Sequence, residues 1–234
     1  MLTSAVDPAL LAPRVPAGTE LDLFEGRAYA SLVGFRFLDA RVLGWSIPFH
    51  RDFDEINLRF YVRRRAPEGW RRGVVFVKEI VPRALIAWVA RRVYGEPYVA
   101  LPMRHETPVP VSAGGAGGGR VGYACRDAGR WHSFALDVAG EPAFAAPGSL
   151  EDFITDHLWG YTRLSASATR EYEVEHPRWR LWNALSTRLD FDVRALYGGD
   201  FVGAFLGAPA SALVAEGSPV SVRRGVALGA ERPA

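Results

Sequence analysis

Glu55, Asn57, Arg59 and Tyr61 stand at alternating positions and form the densest run of potential chemistry in the sequence. On a strand they share one face, because successive side chains point to opposite sides. The other face then carries Ile56, Leu58, Phe60 and Val62. The polar set differs from the Lys/Glu/Thr mixture of a solvated face. It offers a proton acceptor, an adaptable amide, a guanidinium able to clamp a carboxylate and a phenol. These groups suit a small polar or anionic ligand if the sheet closes and this face lines an interior. On an open sheet the same alternation marks only the wet side.

Lys78-Glu79 breaks the apolar run Val74-Val75-Phe76-Val77…Ile80-Val81. Neighbours on a strand point oppositely, so one of the two enters each apolar face and needs a partner there. A structural ion pair is one reading. A lysine with a lowered pKa, able to form a Schiff base, is the other. His105, beside Glu106 at a strand end, is the histidine best suited to a ligand. None of His50, His105, His132, His157 and His176 has metal-binding spacing, and Cys125 is the single cysteine, so no metal and no cofactor is expected. His176-Pro177-Arg178-Trp179 reads as a turn.

The elements that must position these groups are mostly strands. The pattern predicts a short helical turn and loop over 1–19, strand structure over 21–38 with a hairpin turn at Phe24-Glu25-Gly26-Arg27, and strands over 54–65 and 70–81 joined at Ala66-Pro67-Glu68-Gly69. Pro82 opens a helix over 83–94 that Gly95 stops. Further strands are predicted near 98–106, 120–126, 130–138, 157–164, 168–176 and 179–184. Helices are predicted near 149–156, capped by Ser149, and near 190–198. A short apolar segment covers 201–206, a terminal hairpin 211–228 and a frayed tail 229–234. The run 112–119 is a flexible glycine-rich loop whose spacing does not fit a dinucleotide fingerprint. With no internal repeat and no natural break, residues 1–228 read as one domain.

The bulk numbers agree. The chain has 234 residues, 49% of them hydrophobic, and a formal net charge of +2. That charge argues against nucleic acid as a partner, even though Arg63-Arg64-Arg65 and Arg71-Arg72 flank Trp70. No apolar run is long enough for a membrane span and the first 20 residues do not resemble a secretion signal, so a cytoplasmic protein is expected. Of 28 basic residues only Lys78 is a lysine. No Gly-x-Ser-x-Gly, phosphate-binding loop or kinase signature is present.

Leu10-Leu11-Ala12-Pro13…Pro16-Ala17-Gly18-Thr19-Glu20-Leu21-Asp22, Ser31-Leu32-Val33-Gly34-Phe35, Glu55 to Val62 and Gly73-Val74-Val75-Phe76 resemble the YqjF-like bacterial family of unknown function. That family is remotely similar to the acetoacetate decarboxylase superfamily. The resemblance implies a mostly-β (α+β) fold, a β-cone or closed barrel around a pocket with two or three peripheral helices. It places Glu55 at the decarboxylases' strand glutamate and Lys78-Glu79 at their Arg-Glu pair. Gly95-Glu96-Pro97 matches their Gly-x-Pro, but Tyr98 and Val99 follow where two lysines belong. Tyrosine cannot condense with a carbonyl, so the implied pocket lacks the Schiff-base chemistry.

Three functions follow from these readings. The first is a small-molecule binding protein in which Arg59 clamps an anion, Asn57 and Tyr61 orient it, Glu55 binds a donor, and Lys78 and His105 are further ligand contacts. The second is a cofactor-free enzyme using Glu55 or Glu79 as base and Tyr98 or Tyr61 as acid on a small carbonyl compound. The third is a structural or oligomerisation module. Homo-oligomer formation is compatible with all three.

Overall fold

The strand Phe53–Ala66 and its hairpin partner Gly69–Val81 form the spine of the protein. The computed structural model describes residues 1–42, 45–46, 52–93, 95–107 and 118–229. Among these, the larger sheet is hydrogen-bonded in the order Ala143–Phe144, Arg180–Asn183, Ser211–Ala215, Leu2–Val6, Ala28–Phe37, Phe53–Ala66, Gly69–Val81, Trp159–Arg163, Thr169–Glu175 and Ser221–Val222. The ladder does not bond end to end into a ring. A second sheet runs Ser186–Asp190, Arg130–Ala139, Gly118–Asp127 and Met103–Glu106.

The apolar alternation of the spine drives the layering. Ile56, Leu58, Phe60 and Val62 are fully buried and pack in one core with Tyr123, Cys125, Phe134 and Leu136 of the second sheet. The opposite face is apolar only at its two ends. At one end Val81 and Phe53 meet Ile86 and Ala87 of helix α2 (Ala84–Val93). At the other, Tyr61 and Val74 meet Phe153 and Ile154 of helix α3 (Leu150–Thr155). Helix α1 is Pro8–Leu11 and helix α4 is Val193–Tyr197.

A bulge sets which side chains of the second spine strand join that face. Asn57 pairs with Glu79 and Leu58 with Lys78, but Arg59 pairs with Phe76, so Val77 is skipped. A skipped residue reverses the alternation beyond it. Val74, Phe76 and Glu79 therefore share the face of Asn57 and Arg59, while Val75, Lys78 and Ile80 share the face of Leu58.

Several expected elements differ in the structure. Residues 98–106 form two strands, Tyr98–Ala100 and Met103–Glu106, which belong to different sheets. Pro102 lies between them and has no N–H for a continuous ladder. Leu2–Val6 and Ser186–Asp190 are strands that the sequence pattern does not announce. The predicted terminal hairpin is absent: Ser211–Ala215 joins Leu2–Val6 and Arg180–Asn183, whereas Ser221–Val222 and Val226–Leu228 both join Thr169–Glu175. Residues 201–206 fall in 3-10 turns. Leu85 and Trp88 of α2 are exposed, and Ile86, Ala87 and Ala90 are its buried residues. The predicted loop at 112–119 lies largely outside the described residues, as do His50 and the tail 230–234.

Gly160, on Trp159–Arg163, faces Tyr172, and a Cβ there would stand 2.1 Å from the Tyr172 Cζ. Gly160→Ala is expected to cost about 1–3 kcal/mol through overpacking and to lower Tm by several degrees. Gly203→Ala, which meets nothing within 4 Å, should stay within about 0.5 kcal/mol of the parent. Thermal denaturation of both variants checks this, and equal Tm values would contradict it.

Candidate functional site

The middle of that face holds a belt of polar residues from five strands. Glu55, Asn57 and Arg59 come from Phe53–Ala66 and Glu79 from Gly69–Val81. Tyr98 lies directly beside Glu79 on a parallel strand. Thr162 and Tyr172 follow on the next two strands, and Glu96 enters from the irregular segment before Tyr98. Glu55 and Asn57 are each 1% exposed, Glu79 2% and Glu96 3%, whereas Arg59 and Tyr98 are half-buried.

Hydrogen bonds tie the belt together. Asn57 Nδ2 donates to Glu55 Oε1 (2.8 Å) and the Tyr98 hydroxyl to Glu55 Oε2 (2.9 Å). Glu96 Oε1 accepts from the Thr162 hydroxyl and from the Tyr172 hydroxyl, the latter at 2.9 Å. Three side-chain atoms of the belt are buried with no hydrogen-bond partner among the described residues: Asn57 Oδ1, Glu79 Oε2 and Arg59 Nε. Among the described residues, no group of three His, Cys, Asp or Glu side chains is arranged to hold a metal ion.

Burial controls the acid–base state. It pushes the Glu55 carboxyl up to about 7, against the opposing hydrogen bonds of Asn57 and Tyr98 and the charge of Arg59. Glu96 is likewise pushed up to about 7 by burial, offset by Thr162 and Tyr172. Glu79 is raised well above the ordinary carboxyl range, first by burial and then by the charges of Glu55 and Glu96. Three carboxyls at one place in low dielectric do not ionise together. The same burial and the same carboxylates raise Tyr98 and Tyr172, which keeps them neutral donors.

The structure thus brings Glu55, Asn57, Glu79 and Tyr98 together, with Arg59 next along the strand. Tyr61 belongs to the apolar end: its ring lies 4.6 Å from that of His157 and its hydroxyl 2.5 Å from Ser31 Oγ. Lys78 is on the opposite face, where its ammonium donates to the Leu196 carbonyl in the last turn of α4, 5.8 Å from the Tyr197 ring. His105 is also elsewhere, with Nδ1 2.8 Å from Asp54 Oδ2. Two surface clefts, one lined by Leu2, Ser4 and Phe205 and one by Phe191 and Val193, contain none of the belt residues.

Sequence reading did not single out Glu96, Thr162 or Tyr172 as site residues. Glu96 lies outside any periodic element and meets its partners 66 and 76 residues away. Its one local signal is a position inside Gly95-Glu96-Pro97. His157 was also passed over. It is buried, its Nε2 is 3.1 Å from Asp22 Oδ2, and burial takes it down to about 4.

Residues 1–219 match the model of DUF2071, a family of uncharacterized conserved proteins, and the chain belongs to that family. It is 28% identical over 184 residues to the uncharacterized protein YqjF of Bacillus subtilis (strain 168), covering 76% of this chain and 70% of that one. Its fold is similar to that of an acetoacetate decarboxylase from Legionella pneumophila, with a TM-score of 0.65, 11% identity and coverage of 98% and 84% of the two chains. It is also similar to the enduracididine biosynthesis enzyme MppR complexed with the condensation product of pyruvate and imidazole 4-carboxaldehyde. That match has a TM-score of 0.62, 18% identity and coverage of 99% and 87%. These likenesses establish a mostly-β, acetoacetate-decarboxylase-like fold.

Glutamine at position 79 cannot ionise, which defines a pH test. A carboxyl whose folded-state pKa lies above its unfolded one holds its proton in the native protein. Stability then falls as pH rises from the ordinary value of 4.5 through the raised one. The Tm difference of Glu79→Gln over the parent is therefore expected to grow between about pH 5 and about pH 8. A constant or shrinking difference would contradict the assignment.

Proposed function

We propose that this DUF2071 protein binds a small carboxylated or otherwise polar compound at the belt, with Arg59 gripping its anionic group. One observation carries the reading: Arg59 Nε is buried and donates to nothing among the described residues. The guanidinium has the Tyr61 ring, 6.0 Å from its Cζ, and the Glu55 carboxyl as favourable neighbours, while its charge opposes protonation of His157 and of the Met1 amino group. An idle buried donor on a charged group costs on the order of 1–3 kcal/mol or more, which an anionic oxygen would recover. Arg59 and Tyr98 are the half-buried members of the belt, so a ligand would enter past them to reach the glutamates.

A second reading is favoured by the protonation states. A carboxyl pushed up to about 7, as Glu55 is, suits proton transfer at neutral pH. Glu55 as carboxylate would take a proton from carbon or water, while protonated Glu79 or neutral Tyr98 would supply one to a carbonyl oxygen. Enolisation, dehydration or hydrolysis of a small carbonyl compound needs no more than this. Iminium chemistry does not fit, because Lys78 is engaged with Leu196 on the other face.

A thermal-shift screen of small carboxylates and ketones tests the binding reading. A carboxylate hit should weaken at least about tenfold in Arg59→Ala, the loss of about 1.4 kcal/mol or more, without a matching loss of intrinsic Tm. A hit that Arg59→Ala leaves unchanged would refute the anchor. Borohydride treatment with pyruvate is expected to give no mass adduct, and an adduct on Lys78 would restore amine chemistry.

A further inference from the structure

The unpartnered atoms of the belt differ in kind, and the difference specifies a ligand. Asn57 Oδ1 and Glu79 Oε2 are idle oxygens, while Arg59 Nε is an idle donor. Asn57 and Glu79 are direct cross-strand partners, a pairing that sets Cβ atoms about 4.5–5.5 Å apart. Their two oxygens therefore lie on adjacent strands of one face. The Asn57 nitrogen is already committed to Glu55, so what Asn57 has left is an acceptor. Arg59 stands two residues farther along, about 6.8 Å on an antiparallel strand, and has only donors.

A ligand that meets all three atoms must present a donor at one end and an acceptor at the other. A simple oxo acid presents acceptors at both ends and leaves Asn57 Oδ1 unmet. A neutral hydroxyl leaves the proton on Glu79 and the crowding of the three carboxyls unchanged. An ammonium supplies three protons, and its positive charge beside Glu55, Glu79 and Glu96 favours the carboxylate form, so Glu79 gives up its proton as the ammonium binds and Oε2 becomes an acceptor.

Resting on the reading of Arg59 as the carboxylate anchor, we propose that the ligand is a small amino acid, its ammonium held by Asn57 Oδ1 and Glu79 Oε2 and its carboxylate by Arg59. The same geometry disfavours dicarboxylates, whose second carboxylate would meet the glutamates.

Isothermal titration of the intact chain with matched compounds tests this. One set is alanine, lactate and pyruvate; the other is 4-aminobutyrate, 4-hydroxybutyrate and butyrate. The amino member of at least one set is expected to bind at least about tenfold tighter than both of its counterparts. In Glu79→Gln, and independently in Asn57→Ala, that preference should fall to within about threefold. Acids that bind equally with or without the amino group would overturn the inference and leave the Arg59 anchor standing, as would tighter binding of the oxo or hydroxy member. Failure of every acid to bind would overturn both. A preference that survives intact in both variants would show that the amino group is read elsewhere and would also overturn the proposal.

Discussion

Glu55, Glu79 and Glu96 are each no more than 3% exposed, and a carboxylate moved from water into a protein interior loses several kcal/mol of hydration. Glu55 is compensated by the Asn57 amide and the Tyr98 hydroxyl, and Glu96 by Thr162 and Tyr172. Glu79 Oε2 has no partner, and burial with the charges of Glu55 and Glu96 holds this carboxyl well above the ordinary range, opposed only by the Tyr98 hydroxyl. The three acids therefore cannot be considered singly. Their proton count and the neutrality of Tyr98 and Tyr172 are aspects of one desolvated cluster.

The sheet makes such a cluster possible by separating two tasks onto two faces. The Ile56, Leu58, Phe60 and Val62 face carries the apolar core with the second sheet. The other face spends its apolar residues at its ends, under α2 and α3, and leaves the middle to polar groups. The register shift between Leu58 and Arg59 matters here. Without the skipped Val77, Glu79 would lie on the opposite face from Val74 and Phe76. With it, the face takes Glu79 together with the apolar side chains that shield the α3 end, and Lys78 turns toward Leu196.

Much of this was legible locally. The alternation from Glu55 to Val62 identifies the spine strand and its two faces, and Ser149 marks the start of α3, where its hydroxyl accepts from Asp152 N. The Lys78-Glu79 break requires one residue on each side, as found. What was hidden depends on distant partners. Glu96 acquires meaning only beside Thr162 and Tyr172, and periodicity cannot place a residue that precedes its strand. Leu2–Val6 is too short for a pattern and is a strand because Ala28–Phe37 and Ser211–Ala215 flank it. Lys78 and His105 were read with the belt because sequence proximity does not reveal a bulge or a change of sheet at Pro102.

Infrared difference spectroscopy on the parent and Glu79→Gln, across a pH titration, addresses the buried acid cluster most directly. A protonated-carboxyl carbonyl band that persists at neutral pH in the parent and is lost or reduced in the variant is the result this account predicts. Complete ionisation of every carboxyl by about pH 5.5, close to ordinary glutamate behaviour, would contradict it.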